Sequence, residues 1–118
     1  RIVNQSLGVC GVQGSECPLF VIINYIDDSG VSRVWQHGFF AQGAIDDNLT
    51  PGACISCAVV QRPHERVPLG QFFFYDADLI QELAVQGFLP PRYIESVTLV
   101  GSGHTFATEV SDVALIVE

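Results

Sequence analysis

The chain has 118 residues, 48% of them apolar, and a formal charge of −8 made by thirteen acids against five arginines and no lysine. That balance argues against nucleic acid and anionic membranes as partners, because releasing counterions from phosphates needs a basic face that scattered arginines do not make. No apolar run nears the ~20 residues of a membrane span, and the length suits one domain, 1–118, with an ordinary core.

In chain order, Arg1 to Leu7 reads as a first strand carrying Ile2 and Val3, and Gly8 to Pro18 as a loop. Leu19 to Ile26 is rich in β-branched residues and reads as a strong strand. Asp27-Asp28-Ser29-Gly30 is a turn, since Asp and Ser bond nearby backbone and Gly accepts positive φ. Val31 to Phe40 is the return strand of a hairpin, with Val31, Arg33, Trp35, His37 and Phe39 on one face and Val34 and Phe40 on the other. Ala41 to Ala53 is a long loop, Cys54 to Gln61 a strand, and Arg62 to Pro68 a polar loop with two prolines. Gln71 to Tyr75 is a short aromatic strand. Asp76 is expected to cap a helix of about two turns with Leu79, Ile80 and Leu83 on one side and Gly87 as its stop.

Tyr93 to Val100 alternates apolar and polar residues, Gly101-Ser102-Gly103-His104 interrupts, and Phe106 to Val117 alternates again. Side chains of a strand switch faces at each residue, so two strands joined by a reversal are expected. Seven or eight strands, one short helix and no βαβ alternation predict an all-β, antiparallel β-sandwich.

The hairpin running from Pro18 to Asp27 and on through Trp35-Gln36-His37-Gly38-Phe39-Phe40 resembles galactose-binding-like jelly-roll domains, as does Val67-Pro68-Leu69-Gly70-Gln71-Phe72. The ending, Ile94 to Val97, Gly101 to His104 and Val110 to Leu115, is similar to the last two strands of that class. It resembles the extracytoplasmic C-terminal domain of bacterial anti-sigma-regulator-type membrane proteins. The resemblance leaves out 8–17 and 41–57, and no family sugar or calcium site maps onto this chain residue by residue. It implies an extracytoplasmic, secreted or cell-surface module for binding or assembly, with the ligand open; fold similarity by itself assigns no function. The chain has no methionine, so its natural start is expected upstream of Arg1, where a signal peptide or anchor could sit.

Four cysteines, Cys10, Cys17, Cys54 and Cys57, allow three pairings. The local pairs Cys10–Cys17 and Cys54–Cys57 close the smallest loops and would contribute roughly 2 kcal/mol each in the chain-entropy model. Even cysteine usage suits an oxidising compartment. Two alternatives stay open. One is a zinc site, for which C-x-x-C is good spacing and the longer Cys10–Cys17 spacer is loose. The other is thiol-disulfide redox chemistry at Cys54-x-x-Cys57, which is an enzymatic alternative although such dithiols favour helix N-termini.

No Gly-x-Ser-x-Gly is present, and none of His37, His64 and His104 neighbours a nucleophile, so no catalytic residue is assigned and the chain reads as non-enzymatic. Arg33, Trp35 and His37 share a strand face on which an indole could stack a sugar, and His104 sits in a glycine-rich turn; these four are the candidate ligand-binding residues. Asp46, Asp47 and Asn48 have the oxygen chemistry for structural calcium without the spacing of a dedicated loop. No other cofactor is expected. Asn4-Gln5-Ser6 and Asn48-Leu49-Thr50 match the glycosylation sequon. Phe72-Phe73-Phe74-Tyr75 is too apolar to be exposed throughout and is a candidate surface for self-assembly. The partners expected are therefore a carbohydrate or protein surface, or further copies of the chain in a homo-oligomer or polymer.

Overall fold

In chain order the elements are β1 (Ile2–Gln5), β2 (Val9–Cys10), β3 (Cys17–Asp27), β4 (Ser32–Phe40), β5 (Ala44–Ile45), β6 (Val59–Gln61), β7 (Glu65–Arg66), α1 (Leu79–Val85), β8 (Pro91–Ser102) and β9 (Phe106–Thr108). The structure, a computed structural model, describes residues 1–5, 9–10, 17–41, 44–45, 59–61, 65–102 and 106–117.

β3 and β4 form the predicted hairpin, registered from Leu19↔Phe39 to Ile26↔Ser32. Asp27 closes it. Its Oδ1 accepts the backbone N–H groups of Ser29 and Val31, each at 2.9 Å, and the Ser29 hydroxyl at 2.6 Å. Gly30 completes the turn at φ 84°, where a Cβ would be strained. β8 pairs antiparallel with the other side of β3, and between Asn24↔Ser96 and Tyr25↔Ile94 the register shifts, leaving Glu95 as the extra residue of a bulge. β6 and β7 both pair parallel to β4, which gives the order β6-β4-β3-β8 with β7 also on β4. Two small ladders complete the topology: β1 antiparallel to β9, and β2 parallel to β5. The fold is all-β with one short helix, as expected. Its sheets are mixed, because β6 and β7 follow a long connection that returns them in the direction of β4.

Strand alternation sorts the core. On one face of the sheet, Ile23, Tyr25 and Trp35 pack with Leu83 of α1, flanked by Val21, Leu79, Phe88 and Ile94. Further along, Phe39 packs with Ile2 and Val67, against Phe73 and Tyr75. On the opposite face Cys17, Phe20 and Phe40 group with Ile22 and Val100. Gly101 of β8 lies where a Cβ would come within 2.5 Å of the Phe106 ring, so β8 and β9 approach through a position only glycine fills without rearrangement.

The expected loops Gly8 to Pro18, Ala41 to Ala53 and Arg62 to Pro68 contain the short strands β2, β5 and β7, and β3 starts already at Cys17. Three further expectations change. The helix cap is Asp78, whose Oδ1 accepts the Gln81 N–H at 3.0 Å, and not Asp76; this start puts Leu79 and Leu83 on the sheet side and turns Ile80 outward. Gln71 to Tyr75 alternates as a strand does, with Phe73 and Tyr75 inward and Phe72 and Phe74 outward, but it has no ladder partner among the described residues. The last strand ends at Thr108. Beyond it, Val110 to Val117 continues with neither helix, turn, bend nor ladder.

Candidate functional site

The row on β4 that sequence pattern marks for ligand binding is enclosed. Trp35 is 1% and His37 0% exposed. His37 stacks on Tyr75 with centroids 5.0 Å apart, and Phe39 meets His37 edge-on at 4.7 Å and Tyr75 at 4.8 Å. His37 Nε2 lies 3.4 Å from Oε2 of Glu65, on the neighbouring strand β7. The partly wet face expected around Trp35 is thus a dry one. The reason is that α1 and residues 73–75 fold over it, a long-range event that the spacing of Arg33, Trp35 and His37 does not encode.

Arg33 remains half-buried at the end of the row and is engaged. Its Nε donates to Asp27 Oδ2 at 3.0 Å, and its guanidinium sits 5.5 Å from the Phe88 ring centre. The bonds from the Ser29 hydroxyl, the Val31 and Ser29 N–H groups and Arg33 hold the Asp27 carboxyl down to about 2. Burial raises the Tyr25 phenol, partly offset by Arg33. Tyr25 Oη and Trp35 Nε1 have no hydrogen-bond partner among the described residues. This constellation holds a turn and a core together, and it presents no donor set to solvent.

The other candidates separate in space or fall outside view. His104, Asp46, Asp47, Asn48, Cys54, Cys57 and the second sequon lie outside the described residues, as does the side chain of Cys10. Cys17 is buried and is not a free thiol. Among the described residues no three His, Cys, Asp or Glu side chains gather as metal ligands, and no helix is long and apolar enough to cross a membrane.

What the described residues do present is exposed apolar surface. β8 lies at the end of the sheet order, and its outer side has no strand partner among the described residues. Val97 and Leu99, opposite Ile23 and Val21, are each 38% exposed, and Tyr93 more so. From Ser96 to Ser102 this strand carries no charge. The opposite edge differs: β7 is two residues long and consists of Glu65 and Arg66, between Pro63 and Pro68. Charges, prolines and short length are how edges are protected against pairing with another chain; β7 and its flanks combine all three, whereas β8 carries Pro91, Arg92 and the bulged Glu95 in its first half and no charge or proline from Ser96 to Ser102.

The second uncovered element is the C-terminal stretch. Val113 is 60%, Leu115 50% and Val117 82% exposed, and they share one face if the segment is extended. The third is Phe74, 90% exposed beside Phe72, over whose ring the Arg1 guanidinium lies at 4.8 Å. The sequence marks Phe72 to Tyr75 as a candidate surface. It predicts a paired strand for Val113, Leu115 and Val117, because alternation shows that a segment suits a sheet and not which sheet supplies its neighbour.

No family model, no curated protein and no solved structure matches this chain.

Proposed function

We propose that the chain is a non-enzymatic, extracytoplasmic β-module that works by surface contact, and that its use is assembly. One observation carries this: a chain of net charge −8 leaves a neutral stretch of sheet edge, Ser96 to Ser102, and a neutral apolar stretch, Val113 to Val117, both with exposed apolar side chains. Monomeric soluble domains rarely expose contiguous apolar surface without a partner for it. The cysteine usage supports an oxidising compartment, and the resemblance to galactose-binding-like domains agrees with a binding or assembly role. Carbohydrate recognition has less support, because Trp35 and His37 are enclosed.

Light scattering across a dilution series tests the proposal. Particle mass is expected to rise above that of one chain with concentration, with and without reductant. A mass fixed at one chain throughout would overturn it. A glycan array runs beside it, where retained sugar binding by a strictly monomeric protein would move the function to carbohydrate recognition.

A further inference from the structure

We infer that the contact between copies is heterologous: the segment Val110–Val117 of one copy adds as a strand to the β8 edge of the next. This rests on the assembly reading and names its partner as a second copy of this chain. The two surfaces complement each other in the chemistry a sheet requires. β8 is twelve residues long with no strand partner on its outer side among the described residues, and its apolar side chains Val97 and Leu99 point to the face that holds Ile23, Trp35 and α1. The segment is unbroken by helix, turn or bend, and Val113, Leu115 and Val117 alternate with Ala114 and Ile116. A strand laid along β8 with its odd-numbered side chains on that face continues the apolar row outward.

Charge favours these two strips over pairings that bring acidic surface together. Copies of an acidic chain repel, so they meet where neither carries charge. The segment holds one acid, Asp112, and is flanked by Glu109 and Glu118, with Val113 to Val117 neutral; in β8 the neutral strip runs from Ser96 to Ser102. The chain's own segment is directed elsewhere. β9 is paired with β1, Thr108 Oγ1 donates to the Pro18 carbonyl at 2.9 Å, and the Glu109 N–H donates to the Arg1 carbonyl at 2.9 Å. These bonds commit the start of the segment to the β1 side and leave the β8 edge of the same copy open. A heterologous contact of this kind does not close on itself at two copies, so it builds chains or rings.

The experiment uses two double variants of the whole chain, Val113→Glu with Leu115→Glu in the segment, and Val97→Glu with Leu99→Glu on the edge. The wild-type chain is expected to associate and each variant alone to be monomeric. Their equimolar mixture is expected to form a one-to-one dimer, because each brings one intact half of the contact. That dimer also certifies that both variants fold. Wild type that never exceeds one chain in mass overturns the assembly reading itself. Wild type that associates while the segment variant associates equally well overturns this inference alone and shifts the contact to another surface such as Phe74. Two monomeric variants that give no dimer on mixing overturn the head-to-tail geometry in favour of a symmetric one.

Discussion

Asp27 and Arg33 show how much of this chain's polar chemistry serves its turns. The Asp27 carboxyl is held to about 2, first by the Ser29 hydroxyl and then by the Val31 N–H, so the folded chain binds fewer protons there than the unfolded chain in acid. The stability this supplies is complete above about pH 4 and is lost as pH falls towards 2. Urea midpoints followed down through that window should drop with pH, and the drop should be shallower in Asp27→Asn. An equal drop in both would place the acid sensitivity elsewhere. Trp35, enclosed by Leu83 and its neighbours, belongs to the same scale. Truncation to Trp35→Ala removes a large buried ring and is expected to cost about 3–5 kcal/mol in denaturant unfolding. Gly101→Val, which drives side-chain atoms into the Phe106 ring, is expected to cost about 1–3 kcal/mol.

At the scale of elements, the two candidate caps of α1 separate cleanly. Asp78→Ala should cost about 1 kcal/mol, while Asp76→Ala should leave the urea midpoint within error, since only Asp78 accepts the Gln81 N–H. The β3–β4 hairpin was legible because two local signals agree: β-branched residues from Val21 to Ile26 and an Asp–Asp–Ser–Gly turn. The alternation of Tyr93 to Val100 likewise predicted β8, which runs on through Gly101 and Ser102 of the expected interruption; Gly103 and His104 lie outside the described residues. What pattern does not carry is the neighbour. Phe72 to Tyr75 and Val110 to Val117 have strand composition and no ladder, and the parallel pairing of β6 and β7 with β4 depends on where a long connection returns. The candidate ligand row failed for the same reason: Trp35 and His37 were placed on the correct face of β4, but whether that face is wet is decided by α1 and Tyr75, distant in sequence.

At the scale of the whole molecule, ionic strength distinguishes the forces between copies. Like-charged chains joined through uncharged strips repel everywhere except at the contact, so raising salt from low to high should strengthen association by screening that repulsion. Weakening with salt would mean that ion pairs hold the copies together. Because assembly and folding are linked by mass action, the thermal midpoint should also rise with protein concentration in the wild type, and stay constant in Val113→Glu with Leu115→Glu.

The path by which Val110–Val117 leaves the body of the chain has a mechanical consequence. Tension applied through that segment enters at Glu109 and reaches the short β9–β1 ladder, from Ile2↔Thr108 to Gln5↔Phe106, before it reaches the long registers of β3 with β4 and β8. A chain stretched from that end would therefore peel β9 away first. Extension would begin there while the central sheet, with its β8 edge, stayed whole.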